Sequence, residues 1–408
     1  MTEPQSVRSA VYRLAISRGV SITGGAAAFT ALMFAVYERT GHDPVWLAAT
    51  LILTFGMNGV LGWLAGSLGD RFDRRRVMIV SELFGAGVFA IAAFVHAPVL
   101  LIACGFAAAV VEAPFRSASG AAIPALVDDP KDIEHATSLL LIGTYAGIFL
   151  GPVIGGVLVG GIGPNWVFAA NAVSFLLSAG LIWSVRRPFH EPVSAEEHEA
   201  HVGVWAGLRF IRADEILRRI LPGLVIIVLF NGFQMVSDLP LVSTFFNGTP
   251  DIGRGYGLII AVWGVGSVIG SFAARRLTPA IETKWLVIVN GAFALTMGLV
   301  GVAPLFVLVL CLVFLNGTTN AVSLVALGSI QVRRAPDAVR SRVMAAMGAA
   351  QDLSLAVGYA IAGPLVSFLG PKLVYVVAGT GATIGTAVLW PLRHRVIEGT
   401  TPKEKRAE

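Results

Sequence analysis

Five ionisable residues lie inside long apolar stretches of the sequence, where a charge has little access to water. Glu112 and Arg116 are four residues apart and therefore share one face of a helix, and the others are Arg18, Asp238 and Asp352. An unpaired charge inside a membrane is costly, so such residues are candidates for proton exchange and coupling. For Glu112 and Arg116, a structural pair that neutralises itself is an equal alternative.

The two aspartates differ in position along their stretches. Asp352 lies about two and a half turns into its stretch, where it could titrate or pair with Arg18 or Arg116. Asp238 lies late in its stretch, where it could bind a cation, help to close an outer gate, or mark the membrane interface. Glu82 lies one turn into another stretch, and we expect it to pair with a loop arginine rather than with a substrate.

Other kinds of chemistry lack their sequence signatures. The sequence has neither a G-x-x-x-x-G-K-[ST] phosphate loop nor an H-E-x-x-H metal motif. Cys104 and Cys311 both lie in apolar stretches, and the seven histidines lie in loops or at the ends of stretches. The sequence therefore indicates no enzyme, no metal site and no cofactor, and an ion gradient would have to supply energy for active work.

The elements that must position these residues are membrane helices. The 408 residues are 55% hydrophobic and only 13% charged, with a mean hydropathy of +0.76. A typical soluble domain is about a quarter charged, so the composition argues against a soluble enzyme. About 20 apolar residues cross a bilayer, and the sequence offers twelve such spans. They lie near 14–37, 45–67, 77–96, 98–120, 137–160, 165–185, 220–245, 255–275, 284–302, 304–328, 343–368 and 373–392.

The basic residues indicate the orientation of these spans. With both termini inside, only Arg39, Arg254 and Lys372 of the 30 Lys and Arg residues fall on the outer side. The basic residues occur in short bursts between spans rather than in one continuous patch, which argues against a nucleic-acid partner. We therefore expect a multi-pass protein of the cytoplasmic (inner) membrane with both termini in the cytoplasm.

The two halves of the chain resemble each other. Gly62 and Gly66 in the second span recur as Gly266 and Gly270 in the eighth, and Ala-Pro, X-Pro and Gly-Pro pairs recur at nearly the same spacing. The halves are separated by a polar stretch in which 204–219 has the pattern of a short surface helix. We predict an N-terminal six-helix bundle (1–185), a cytoplasmic linker with that helix (186–219), and a C-terminal six-helix bundle with a cytoplasmic tail (220–408).

The strongest local motif follows the second span. Gly62 and Gly66 are spaced for close helix packing, and Asp70 follows at the cytoplasmic end, where a carboxylate can accept hydrogen bonds from a helix N-terminus. The run Gly66-x-x-x-Asp70-Arg71-x-x-Arg74-Arg75 resembles the loop signature of the major facilitator superfamily, and nearly the whole chain is similar to its macrolide-efflux and enterobactin-exporter branch. The residues to which this resemblance assigns a gating role are Gly62, Gly66, Asp70, Arg71, Arg74 and Arg75.

The second half departs from that signature because Ala274 replaces the Asp. We therefore expect only the first half to keep the full gate. The resemblance also implies a fold, namely an all-α membrane protein of twelve transmembrane helices in two pseudo-symmetric six-helix bundles.

A second motif lies in the fifth span. Its proline removes a backbone donor and bends the helix, and its glycines permit close packing. The pattern resembles the antiporter motif of the superfamily's drug exporters, which implies export, although a kinked packing helix would have the same residues. They are Gly147, Gly151, Pro152, Gly155 and Gly156.

Neutral polar and aromatic residues in the spans could bind a substrate near the midplane, although hydrogen bonding between helices explains each polar one equally well. The candidates are Phe29, Asn58, Tyr145, Phe230, Asn231, Gln234, Asn316 and Asn320. With the motifs, they predict a monomeric, proton-coupled secondary transporter that exports small amphiphilic molecules, of multidrug or macrolide type, by alternating access. Its expected partners are the substrate, protons and membrane lipids. The alternatives are export of a siderophore or lysophospholipid, or passive lipid scrambling.

Overall fold

The computed structural model describes residues 7–56, 73–127, 132–186, 189, 204–246 and 251–395, and all regular secondary structure in these ranges is helical. Within them the α-helices are α1 (Val7–Arg39), α2 (Pro44–Leu51), α3 (Arg74–Ala92), α4 (Pro98–Leu126), α5 (Asp132–Ile162), α6 (Pro164–Trp183), α7 (Val204–Ala213), α8 (Leu217–Phe245), α9 (Asp251–Ala274), α10 (Glu282–Val302), α11 (Phe306–Arg334), α12 (Asp337–Leu369) and α13 (Pro371–Leu389). A π-helical turn, Ile52–Gly56, continues α2, and a 3-10 turn, Trp390–His394, follows α13.

Ten of the described helices are long and apolar enough to cross a bilayer, namely α1, α4 to α6 and α8 to α13. The predicted spans at these ten positions are confirmed. Helix α3 occupies the predicted third span, but the three arginines of its first turn and Glu82 make it more polar than the others. Helix α2 and its π-helical turn begin the predicted second span, whose remainder lies outside the described residues.

Proline and glycine set several of the helix starts. Pro164 and Pro371 each begin a helix, where the missing N–H of proline has no acceptor to lose. Each follows a glycine with positive φ, Gly163 at 85° and Gly370 at 79°, a conformation that costs glycine little. The same Gly-Pro device thus opens the last helix of each half, which agrees with the internal repeat.

By contacts the chain divides into two compact units, Met1–Ser194 with Leu239–Ala261 and Ala195–Asp238 with Val262–Glu408. In the first unit, α1 packs against α5 and α6, while α3 packs against α4 and α6. The buried face of α1 is rich in alanine, including the fully buried Ala28 and Ala31, so neighbouring helices approach closely without large side chains.

In the second unit, α10 packs against α11 and α13. The repeated glycines do here what their spacing predicts, because a Cβ on Gly266 would lie 2.2 Å from Phe314 O and one on Gly270 would lie 2.2 Å from Thr318 O. Backbone-to-backbone packing of α9 on α11 thus requires glycine at both positions.

The surface helix predicted at 204–219 is present but shorter, since α7 ends at Ala213. The cause is Asp214, whose Oδ1 accepts hydrogen bonds from the N–H groups of Ile216 and Leu217, both at 2.9 Å, just where α8 begins. Helix α7 packs against α12, and a Cβ on Gly207 would lie 2.1 Å from Arg342 O. The helix is therefore fastened to the second unit.

Candidate functional site

A cluster of charged residues is contributed by α1, α3 and α4 of the first unit. Arg18 of α1 is only 5% exposed and Glu82 of α3 only 2% exposed. The Arg18 guanidinium carbon lies 5.2 Å above the ring of Phe115 on α4. Glu82 and Glu112 are both close enough to attract Arg18, and Arg116 is close enough to repel it. The structure thus brings three of the predicted coupling residues together.

Glu112 and Arg116 differ from their neighbours by being exposed. A charged side chain on a transmembrane helix faces water or a headgroup rather than lipid tails, because the lipid interior solvates charge poorly. The cluster therefore joins a buried half, Arg18 and Glu82, to an exposed half, Glu112 and Arg116. Within the described ranges, Arg18 of α1 is the cation close enough to Glu82 for electrostatic interaction, while Arg71 of the preceding loop lies outside them.

The glycines of α5 pack against α1 in the same unit. A Cβ on Gly151 would lie 2.6 Å from Thr23 O, and one on Gly155 would lie 2.6 Å from Ala27 O. Gly147 meets the same helix, 2.8 Å from a side-chain carbon and 2.9 Å from a main-chain nitrogen. These glycines, spaced four apart, form the seam along which the two helices touch.

The opposite side of α5 packs against α9. A Cβ on Gly156 would lie 2.4 Å from Gly257 Cα on α9, and one on Gly160 would lie 2.6 Å from Arg254 Cγ. Pro152 stands inside α5, and its carbonyl oxygen lies 3.3 Å from the Cβ position of Gly257. The motif therefore has two packing faces, one for α1 and one for α9.

Helix α3 begins with the last residues of the gating motif. Asp73 caps the helix, because its Oδ1 accepts a hydrogen bond from the Arg76 N–H at 2.9 Å. Arg75 donates to the carbonyl oxygen of Trp183 at the end of α6. Asp73 thus has a structural role at the start of α3. The predicted residues Asn58, Gly62, Gly66, Asp70 and Arg71 lie outside the described residues, as does the side chain of Tyr145.

In the second unit, Asp238 is an inter-helix hydrogen-bond acceptor. It accepts a hydrogen bond from the hydroxyl of Tyr375 on α13, and Tyr375 is fully buried. Tyr359, also fully buried, lies close enough to Asp238 and to Asp352 for electrostatic interaction. The two predicted acids of this unit therefore share one tyrosine-rich region, and Asp352 is half-buried.

Two of the predicted substrate residues line a small cavity of mixed polarity in the second unit. Asn231 and Asn320 border it together with Asn290, Ser323 and Gln351, and its volume is about 50 Å³. Drug-sized sites occupy about 300–1,000 Å³, so this cavity cannot hold an amphiphilic drug. Asn290 and Gln351 were missed as candidates, although an amide inside an apolar stretch was the signal that identified Asn231 and Asn320.

Asn316 and Gln234 occupy packed positions rather than a cavity. Asn316 is 2% exposed and donates to Phe293 O and Thr296 Oγ1, both at 3.4 Å. Gln234 is 7% exposed, and its Oε1 has no hydrogen-bond partner within the described part of the chain. Both amides belong to helix packing in this structure.

The aromatic candidates form pairs. The ring of Phe29 meets that of Phe55 edge to face at 4.9 Å. The rings of Phe230 and Phe233 lie 5.1 Å apart, and Phe233 is only 4% exposed. Each pair offers an apolar surface of the kind predicted, with one ring of the second pair already buried.

Two buried carboxylates escaped the sequence reasoning. Glu282 at the start of α10 is 2% exposed, accepts a hydrogen bond from Ser329 at 2.6 Å, and lies 3.5 Å from Arg333. Asp214 holds Arg334 through two hydrogen bonds of 2.6 and 3.0 Å. Both lie near helix ends, where the sequence alone does not distinguish a buried acid from an exposed loop residue.

A bundle of long apolar helices, packed on glycine seams and holding charges in its interior, is the architecture of a multi-pass membrane protein. Residues 45–351 match the protein family described as transmembrane secretion effectors. The chain belongs to the major facilitator superfamily, whose members move small molecules across membranes and are not enzymes.

Relatives and solved structures agree with this assignment. The MFS-type transporter YfiS of Bacillus subtilis is 25% identical over 78% of each chain. The enterobactin exporter EntS of Escherichia coli is 24% identical over 84% of this chain and 82% of its own. The crystal structure of the nucleoside transporter NupG matches with a TM-score of 0.77 at 12% identity, covering 94% of this chain and 99% of that one. A bacterial homologue of the lysosomal transporter Spinster matches with a TM-score of 0.69 at 14% identity, covering 96% and 98%.

Proposed function

We propose that this chain is a proton-coupled secondary transporter that exports small amphiphilic molecules across the inner membrane by alternating access. Two six-helix bundles, 1–185 and 220–408, are the moving parts in this proposal, and both termini lie in the cytoplasm. The observation that carries the proposal is the charge cluster of the first unit, in which exposed Glu112 and Arg116 lie close to buried Arg18.

The position of Glu112 supports the proposed coupling to protons. It is exposed and close to a buried cation, so taking up a proton there removes a negative charge that attracts Arg18. Asp352 provides a second acid in the other unit. Each protonation would change the balance of charge inside the membrane, where charge is worth most, and so favour one conformation over another.

The direction of transport is supported by α5. Its Gly-Pro motif resembles that of exporters, and its glycines are required by the packing against α1 and α9. Enterobactin exporters of Escherichia coli are among the relatives. In this proposal, Asp70 and the arginines that follow it hold the inner side shut when the site opens outward.

The test is ethidium efflux from everted membrane vesicles energised by a proton gradient. We expect the double variant Glu112→Gln with Asp352→Asn to fall to the level of vesicles without the protein, and Asp70→Asn to be slowed. Glu215→Gln is the matched control, because its carboxylate lies in exposed ion pairs at the membrane surface and should leave efflux unchanged. Normal efflux by the double variant contradicts the coupling mechanism.

An uncoupler separates this proposal from passive lipid scrambling. Collapse of the proton gradient should stop an exporter, whereas scrambling of a fluorescent lipid should continue. Fluorescent-lipid movement that requires the protein and survives the uncoupler, with no ethidium efflux, would support the passive alternative.

A siderophore is the second candidate substrate, favoured by the similarity to enterobactin exporters over 84% of the chain. Its test is accumulation of catecholate siderophore in the medium of an exporter-deficient strain that expresses this protein. Restored secretion of siderophore without any change in drug susceptibility would favour it over multidrug efflux.

A further inference from the structure

Uncharged polar groups from four helices meet at the cavity of about 50 Å³ inside the second unit, which we call the amide cavity. Helices α8, α10, α11 and α12 contribute the polar part of its lining, and the rest of the lining is aliphatic or aromatic. Polar groups at membrane depth need a partner, because the lipid interior supplies none. The polar residues are Asn231, Asn290, Asn320, Ser323 and Gln351.

Two of these side chains already use their amide nitrogens. Asn290 is 3% exposed, and its Nδ2 donates to Leu286 O at 2.7 Å and to Ser323 Oγ at 2.9 Å. Gln351 Nε2 donates to Met347 O at 3.1 Å. A main-chain carbonyl oxygen only accepts, so the nitrogen of each amide must face it. The amide oxygens of Asn290 and Gln351 therefore remain for the cavity.

The other two amides are not fixed by hydrogen bonds. Asn231 and Asn320 are half-buried on long apolar helices, and neither has a hydrogen-bond partner within the described ranges. Either amide can therefore turn its oxygen towards the cavity. An amide that is left unpaired away from water loses free energy, so a ligand that pairs with these oxygens is favoured.

The chemistry of the lining suits a single positive charge. Uncharged carbonyl oxygens replace the water shell of monovalent cations in ion-selective pores. Ca²⁺ sites use Asp and Glu carboxylates, and the described lining of the amide cavity contains neither. One acid is next in the chain, because half-buried Asp352 follows Gln351. A cavity needs only about 10–15 Å³ to hold a water, so this one has room for a small ion.

We propose that the amide cavity binds one monovalent alkali cation, with the amide oxygens and the Ser323 hydroxyl oxygen as its ligands. The inference goes beyond the proposed function, which uses Asp352 beside the cavity but assigns nothing to the cavity itself. An ion held by four helices of one unit joins them. It therefore stabilises the folded chain to the extent that the site is filled.

The first test is thermal unfolding of the purified, substrate-free protein, followed by tryptophan fluorescence. The protein is kept in choline chloride, which is replaced stepwise by NaCl or KCl at constant ionic strength. We expect Tm to rise with Na⁺ or K⁺ and then to level off, because the site saturates. Choline is too large for a cavity of about 50 Å³ and is the reference. Equal Tm values in choline, Na⁺ and K⁺ overturn the proposal and leave the cavity to water.

The second test removes one ligand. Asn320→Ala breaks no hydrogen bond to the described part of the chain. Loss of a residue that only supports a metal ligand costs about 10–100-fold in affinity, so we expect the half-saturating ion concentration to rise about tenfold or more. Asn231→Ala replaces this variant if it fails to fold, with the same expected result.

Asn316→Ala is the matched control, because Asn316 lies one turn earlier on α11 and is 2% exposed. Its amide donates to Phe293 O and Thr296 Oγ1 and does not line the amide cavity. This variant should lower Tm but leave the half-saturating ion concentration unchanged. Unchanged affinity in Asn320→Ala overturns the proposal, and so does an equal loss of affinity in Asn316→Ala.

The cation site and the proposed proton coupling can fail separately, because ion binding is measured without substrate or gradient. Saturable ion binding that depends on Asn320, in a protein whose efflux ignores the proton gradient, refutes only proton coupling. Proton-driven efflux by a protein that binds neither Na⁺ nor K⁺ refutes only the cation site.

Discussion

Replacing Gly155 by alanine tests the glycine seam between α5 and α1. The added Cβ would lie 2.6 Å from Ala27 O and 2.8 Å from Ala27 Cα, whereas ordinary contact begins at 3.4 Å. The two helices must therefore separate by about 0.8 Å over that turn, and overpacking of this kind costs about 1–3 kcal/mol. The obstacles are main-chain atoms, so shortening Ala27 to glycine does not relieve them.

The measurement is thermal unfolding of the purified protein in detergent, followed by tryptophan fluorescence. Gly161→Ala is the matched control, since it lies in the same helix and its Cβ would meet nothing within 4 Å. Alanine is the better helix former by up to about 1 kcal/mol, so Gly161→Ala should leave Tm unchanged or raise it, while Gly155→Ala lowers it. Equal Tm values for Gly155→Ala and the wild type would refute the close approach of α5 to α1.

Two further predictions concern the attachment of α7. Asp214→Ala removes both a helix cap and two hydrogen bonds to Arg334, so we expect a loss of about 1–3 kcal/mol of stability, whereas Glu215→Ala, in exposed ion pairs, should cost less than about 1 kcal/mol. Chemical unfolding of the two variants measures the difference, and equal losses would contradict it. Gly207→Ala places a Cβ 2.1 Å from Arg342 O and should cost about 1–3 kcal/mol, which an unchanged Tm would contradict.

Composition and spacing predicted the ten confirmed spans because an apolar run of membrane length is a local property of the sequence. Which helix each glycine of α5 packs against could not be predicted from the local sequence. Gly155 and Gly156 are adjacent in one motif, yet the first meets α1 and the second meets α9, since successive residues on a helix point about 100° apart. The motif indicated close packing, and the partners required the fold.

For the charge cluster, too, some features could be predicted from the local sequence and others required the fold. Glu112 and Arg116 share a face by spacing alone, and Arg18 was singled out because it is a charge in an apolar run. The approach of Arg18 to Glu82 depends on how α1 and α3 are each placed against α6, which no single helix encodes. Two asparagines of α11 also differ in a way that their sequence does not indicate. Asn316 is packed and donates a hydrogen bond to Phe293 O, whereas Asn320 lines a cavity.

The docking of α7 on α12 bears on how the gene could be divided. A break in the chain before Val204 would leave Asp214 and Arg334 on one fragment, together with the Gly207 contact. A break after Ala213 would instead strip α12 of that helix and leave the carbonyl of Arg342 uncovered. Expression as two polypeptides should therefore succeed only with the first division, because only that division keeps α7 covalently joined to the unit on which it packs.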